Sequence, residues 1–289
     1  MIIANIIGGL GNQMFQYASA EAMGVATRRP VLYVTDLFAQ QNTHNGFELE
    51  RVFDLTLPLA TATDLNKLIG RLRAQPYARR GLAKFNTPQW LIGRNFHIER
   101  GFIFDPNLTV KLASGGYMHG YWQSENYFNI ISDRLRTAFS FRTIEHLTLP
   151  DPAEINVSLH VRRGDYLSAN SVHASCDVGY YKRALAKLDL PIEKTAVYVF
   201  SDDPNWARVA ISELHPNLRI MEGHKGVDSY KDMYLMSLCD HHIIANSSYS
   251  WWGAWLNLSP RKQVVAPKVW FTDRRLDDSH LVPNTWFRM

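Results

Sequence analysis

The sequence predicts an α/β protein of two doubly wound, Rossmann-like halves, each a parallel sheet wrapped by helices. Three observations predict it. The opening residues, as far as Asp36, read strand, glycine turn, helix, strand. From residue 155 to residue 266, short β-branched apolar runs alternate with helical stretches, the pattern of βαβ units and hence of a parallel sheet. Between these regions lies Leu149-Pro150-Asp151-Pro152, whose prolines interrupt regular structure. It sets a boundary between an N-terminal domain, 1–150, and a C-terminal domain, 151–289.

Each element follows from local pattern. Ile2 to Ile7 is β-branched and apolar, a first strand, and Gly8-Gly9-Leu10-Gly11 turns the chain. From Asn12 to about Thr27, Phe15, Ala18, Ala22 and Val25 recur at helical spacing. Val31 to Val34 is the next strand. Residues 62 to 86 read as one or two basic helices broken near Pro76, and 95 to 121 as short extended pieces. Ser124 suits the N-cap of a helix reaching about Phe139. In the second half the expected strands are 155–161, 196–200, 218–221, 241–245 and 263–266. Helices near 180–188, 204–214, 229–239 and 249–258 separate them.

Composition narrows the function. Of 289 residues, 46% are hydrophobic and 20% charged, which excludes a disordered chain, a fibre and a charged coiled coil. A net charge of +4 is too small for a dedicated nucleic-acid binder but suits an anionic small molecule. Residues 65 to 98 hold Lys67, Arg71, Arg73, Arg79, Arg80, Lys84 and Arg94 with no acidic residue. This is either a solvated helix face or a surface for anionic lipid or an anionic acceptor. Cys176 and Cys239 form no C-x-x-C, so neither a disulfide framework nor a zinc site is expected. The N-terminus reads as a strand, not a signal peptide, and no apolar run of membrane-spanning length occurs. A cytoplasmic location follows as the expectation.

Three groups of residues follow strands, where doubly wound folds hold ligands. Gly8 to Gln13 opens a helix, so its backbone N–H groups can meet an anion, while Asn12 and Gln13 suit sugar hydroxyls. Gly9 and Gly11 also begin a dinucleotide fingerprint, with Asp36 placed for a ribose, but Met14 stands where its third glycine belongs. The second group is His160-Val161-Arg162-Arg163-Gly164-Asp165. Two planar guanidinium groups side by side suit a diphosphate, and Asp165 can pair with them. The third is Asn246-Ser247-Ser248-Tyr249, whose hydroxyls can cap a helix or hold a phosphate at its N-terminus. Trp251, Trp252 and Trp255 just beyond read as core. A smaller feature, Ser201-Asp202-Asp203, either meets a guanine edge or caps a helix. No Asp-x-Asp and no H-E-x-x-H occurs, so no metal is expected.

Taken together, GGLGNQMFQYA at the N-terminus, GYWQSENYF at 120–128, HVRRGDY and NSSYSWWGAWL resemble the α-1,2-fucosyltransferases, glycosyltransferase family 11. The resemblance spans positions 6 to about 258. HVRRGD alone is shared with α-1,6-fucosyltransferases; the N-terminal block is the more selective. The resemblance implies a GT-B fold whose domains face a central cleft. It also implies GDP-β-L-fucose as donor, inversion to an α-L-fucoside on a galactose 2-hydroxyl, and no metal or other cofactor. The first motif begins so near Met1 that the chain looks like the soluble bacterial type, with peripheral contact to a membrane-linked glycan conceivable but no transmembrane span.

The implied roles are as follows. Arg162 takes the charge of the departing diphosphate, and Arg163 supports it. His160 and Asp202 or Asp203 face the nucleoside. Asn246, Ser247 and Ser248 hold the β-phosphate. Gly9, Gly11, Asn12 and Gln13 lie near fucose or acceptor, on the domain expected to be the acceptor side. Asp165 is the first candidate for the base, although two guanidinium neighbours lower a carboxylate's pKa; Glu21 is a more distant one. Two rival classes stay open: an NAD-dependent oxidoreductase built on Gly9, Gly11 and Asp36, and a non-enzymatic sugar- or lipid-surface binder built on the Trp content and the basic stretch. A fucosyltransferase of another linkage, α-1,6-like, is the alternative within the class.

Overall fold

The computed structural model describes residues 1–40, 45–84, 87–145, 147–164 and 174–289. It divides into two compact units, Met1–Arg142 and Thr143–Met289.

The first unit carries a parallel four-stranded sheet of order β2-β1-β4-β3. Its strands are β1 (Ile2–Asn5), β2 (Val31–Val34), β3 (Phe96–Ile98) and β4 (Gly116–His119). β1 crosses to β2 through the helix Leu10–Thr27, as its periodicity predicts. That helix stops where Arg28 turns left-handed, at φ 54°. One face of the sheet, including Ile3, Val34 and Tyr117, packs on Leu65, Ile69 and Ala74 from the basic helices. These helices are Ala62–Ile69, Arg71–Ala74 and Pro76–Lys84, so the break falls at Gly70 as well as before Pro76. Thr61 and Asp64 close a capping box on the first of them.

The second unit carries a parallel six-stranded sheet of order β10-β9-β8-β5-β6-β7. The strands are β5 (Ile155–Val161), β6 (Thr195–Ser201), β7 (Leu218–Met221), β8 (His241–Ile243), β9 (Val264–Ala266) and β10 (Phe287–Arg288). Helices cover both faces, so a central strand is buried on both sides, and β5 buries Asn156, Ser158 and His160 on one side and apolar residues on the other. In β5, Val157, Leu159 and Val161 have no exposure. They enter the core with Tyr181, Ala184, Val197, Val199 and Ile243.

Two expectations change. The helix expected from Ser124 to Phe139 is a 3-10 turn at Glu125–Tyr127, another at Asn129–Ile131, and a helix only at Ser132–Ala138. Ser124 does cap, accepting from Asn126 N. Phe128 then leaves helical geometry, at φ −134°, and is fully buried against Phe15. Tertiary packing here overrides local helix preference. The short strand β10 had no signal of its own in the sequence; it forms by pairing with β9.

Candidate functional site

In the second unit, β6 and β8 flank β5, so the segments following all three meet at one edge of the sheet. The expected residues His160, Arg162, Arg163, Asp202, Asp203, Asn246, Ser247 and Ser248 come together there. Asp165 lies outside the described residues.

Asp202 organises the loop after β5. Its Oδ1 accepts from Arg163 N at 2.9 Å and its Oδ2 from Gly164 N at 3.0 Å. The same Oδ2 lies 3.3 Å from Arg162 Nη1. One carboxylate thus closes the turn and aims a guanidinium. A Cβ at Gly164 would stand 3.0 Å from Asp202 Oδ2, a tight contact that the carboxylate would have to yield to. Asp203 caps the helix Pro204–Ala210 through Trp206 N and also faces Arg163 Nε at 3.6 Å. The Arg163 guanidinium sits 4.0 Å over the Trp206 ring. Arg163 is therefore fixed against protein, while Arg162 keeps 31% of its side chain accessible.

His160 ends buried, with Nδ1 2.8 Å from Ser250 Oγ and its carbonyl accepting from Tyr181 OH at 3.2 Å. Burial first, and the Arg162 charge second, push its pKa down to about 3. At neutral pH the ring is uncharged, a hydrogen-bonding group and a poor base. Asn246 is fully buried and donates from Nδ2 to the carbonyls of Ala174 and Trp270, so it ties the loop together. Ser247 caps the helix Ser248–Leu256, accepting from Tyr249 N at 3.3 Å. Trp251 and Trp252 are fully buried, the core residues the sequence predicts.

In the first unit, the glycine turn also leads straight into a helix, with Gly9 as the N-cap residue and Gly8 at φ +79°. Gln13 is fully buried and knits this turn to a second one: Nε2 donates to Gly8 O and Gly46 O, each at 2.8 Å, and Oε1 accepts from Glu48 N at 2.8 Å. Asn12 Oδ1 accepts from Gln123 Nε2 at 2.7 Å. Gly9 and Gly11 lie in the turn itself, with Gly11 buried. Met14 is fully buried where a dinucleotide turn needs glycine, and Asp36 is held by Arg79 Nη2 at 2.6 Å and 2.5 Å. That Arg79 has no exposure, so it does not belong to a basic surface. Among the described residues no group of three or more His, Cys, Asp or Glu could hold a metal ion. Nor is any helix among them long and apolar enough to cross a membrane.

The sequence profile of glycosyl transferase family 11 matches residues 1–288. An α-1,2-colitosyltransferase of Escherichia coli is 29% identical, covering 100% of this chain and 99% of its own. WbnK, an O-antigen biosynthesis glycosyltransferase of Escherichia coli, is 31% identical over 98% of each chain. A galactoside α-(1,2)-fucosyltransferase 1 of Bos taurus is 26% identical over 86% of this chain and 64% of its own. The fold is similar to that of NodZ α-1,6-fucosyltransferase, in a crystal structure soaked with GDP-fucose. The TM-score is 0.51 and the identity 16%, over 88% of this chain and 91% of that one.

Proposed function

The chain belongs to glycosyl transferase family 11, and from that membership we propose a metal-independent, inverting transfer of L-fucose. The donor is GDP-β-L-fucose and the acceptor the 2-hydroxyl of a terminal galactoside. The observation that carries this reading is the start of the loop after β5, residues 162–164, where Asp202 aims Arg162, with Ser247 capping the helix Ser248–Leu256 at the same sheet edge. Breaking the sugar–phosphate bond leaves negative charge on the β-phosphate. Fixed donors placed where charge develops lower that barrier, since they need no reorganisation during the step. Arg162 supplies the accessible guanidinium. Arg163, packed on Trp206, holds the loop and adds positive potential. Ser247 and Ser248 offer hydroxyls and a helix N-terminus to the phosphate. Neutral His160 meets the nucleoside side as a hydrogen-bonding group. The glycine turn with Asn12 serves the sugar side of the reaction, with buried Gln13 holding that turn from within rather than meeting the sugar. Asp36, engaged by Arg79, argues against the oxidoreductase alternative.

Colitosyl transfer is the second reading, because the α-1,2-colitosyltransferase matches across the full chain. Colitose is fucose without its 3-hydroxyl, so the same loop geometry serves both donors. The reading also sets the reaction in the cytoplasm, on a free or membrane-linked glycan, which cell fractionation tests.

The deciding experiment offers GDP-fucose and GDP-colitose with a panel of galactosides, with and without EDTA, and reads the linkage by NMR. An α-1,2-fucoside formed equally in EDTA is expected. An α-1,6 product, no transfer, or loss in EDTA overturns the corresponding part. Arg162→Ala should lower kcat by at least ~10²-fold, the scale for one preorganised donor; near-normal turnover removes Arg162 from the mechanism.

A further inference from the structure

The basic helices of the first unit are seated firmly on its sheet. Leu65, Ile69, Ala74 and Ile92 on their inner side pack with Ile3, Phe96 and Tyr117. Arg79 leaves the surface to meet Asp36, while the other six cations of residues 65–98 are all at least partly exposed. A further short helix, Gln89–Ile92, completes this side of the unit.

Two features order the outer face. Within Pro76–Lys84, Tyr77, Arg80 and Lys84 recur at i, i+3 and i+7, one stripe of the helix, and all three are exposed. Buried Arg79 points the other way, over the Tyr117 ring at 5.7 Å, so the stripe faces outward. Arg73, from Arg71–Ala74, donates through Nε and Nη2 to Leu91 O at 3.1 Å and 2.9 Å. A Cβ on Gly93 would lie 3.5 Å from the same guanidinium carbon. That clasp brings Arg71 and Leu72 beside the segment of Trp90, Leu91 and Arg94. A cavity of about 550 Å³ opens next to it, lined by Arg73, Arg94, Asn95 and Ser114 among others. Among the described residues, no acidic side chain lines it.

The positive charge is left without a local counterweight. Residues 65–98 contain no Asp or Glu, and the carboxylates at their margins turn to other partners. Asp64 closes its capping box with Thr61, and Asp105 takes Lys111. Glu99, immediately after β3, accepts from Tyr121 N at 2.6 Å and Trp122 N at 2.9 Å. Set among these cations, Leu72 is 85% exposed, and Tyr77 and Trp90 each 77%. A soluble polyanion uses the charge but gains nothing from such apolar side chains. A bilayer surface uses both: cations meet phosphates, and Trp, Tyr and Leu enter the headgroup layer.

We propose that this face docks the first unit on an anionic phospholipid bilayer, with a headgroup phosphate entering the cavity lined by Arg73 and Arg94. Arg71, Arg80 and Lys84 meet neighbouring headgroups, while Leu72, Tyr77 and Trp90 reach the acyl boundary. The binding is peripheral and needs no sugar donor, so it stands apart from the glycosyl-transfer reading.

Co-sedimentation of the full chain with vesicles tests this, using phosphatidylcholine alone and phosphatidylcholine with about a third phosphatidylglycerol. Pelleting should require phosphatidylglycerol and weaken in high salt, because the attraction acts within a Debye length. Arg71→Gln/Arg80→Gln/Lys84→Gln should weaken binding by ~10²-fold, at roughly fivefold per surface cation. Leu72→Ser/Trp90→Ser should also weaken it, and the blue shift of tryptophan emission on these vesicles should shrink. Melting temperatures should hold in both variants, since the replaced side chains are exposed. No pelleting on phosphatidylglycerol, equal pelleting on phosphatidylcholine alone, or unchanged pelleting of the neutralised variant overturns the proposal. So does retention on heparin without vesicle binding, which assigns the cations to a soluble polyanion. A wild-type dimer that Leu72→Ser/Trp90→Ser converts to a monomer gives the face to a second copy, and overturns it too.

Discussion

Asp202→Ala isolates what the loop after β5 depends on. The substitution removes two hydrogen bonds from backbone amides to a charged acceptor, at 2.9 Å and 3.0 Å. Such bonds contribute about 1.5–3 kcal/mol each, and the low end applies here because the carboxylate is 23% exposed. The half-exposed pair with Arg162 adds at most about 1 kcal/mol. The loss is therefore about 3 kcal/mol of loop order, or on the order of 10²-fold at 1.4 kcal/mol per decade. Binding must restore that order, so the Kd for GDP and kcat/KM should each worsen by up to about 10²-fold. Calorimetric titration with GDP and initial rates of donor turnover measure it. Asp202→Asn, with one acceptor left, should fall between. If Asp202→Ala binds GDP as tightly as wild type and turns over normally, the loop is not the diphosphate site.

Three further outcomes follow. His160 stays neutral in the folded chain, at about 3, and takes up a proton once unfolded near the ordinary 6.5. The unfolded chain then binds more protons between these values, so stability should fall as pH drops through that window. Urea midpoints from pH 7.5 to 4.5 should show a shallower fall in His160→Gln; an unchanged slope removes His160 as a contributor. Asp36→Asn leaves the fully buried Arg79 without its counter-charge and should cost about 3 kcal/mol, the low end for breaking a buried pair because Asp36 itself is partly exposed. A loss under about 1 kcal/mol in urea unfolding contradicts that account. Gln13→Leu removes three buried or half-buried hydrogen bonds and should destabilise by about 3 kcal/mol; a melting curve matching wild type excludes it as the link between the two turns.

What the sequence made legible is what local pattern encodes. β5 and β6 are visible as β-branched runs, and Arg162, Asp202 and Ser247 are visible as polar residues directly after strands. What stayed hidden depends on partners far along the chain. Arg79 reads as a surface cation within a basic run, yet Asp36, 43 residues away, draws it inside. Glu99 carries no motif of its own; the amides that bond its carboxylate reach it only when the turn at 120–123 folds over it. The split of the helix expected after Ser124 belongs to the same class, since the packing of Phe128 on Phe15 decides it. The sequence at Asp202 suggests a guanine contact or a helix cap, and its bonds to the neighbouring loop emerge only when β6 lies beside β5.

The strand order of the second unit also bears on how the molecule is made. β5 is flanked by β6, which follows it soon in the chain, and by β8, whose Ile243 pairs with Leu159. A ribosome must therefore extrude most of this unit before its middle strand gains a second neighbour. Topologies closed by such distant pairings form slowly and leave sticky edges uncovered in the meantime. Nascent chains arrested short of His241 should consequently recruit chaperones, whereas arrest beyond Leu256 should relieve that dependence.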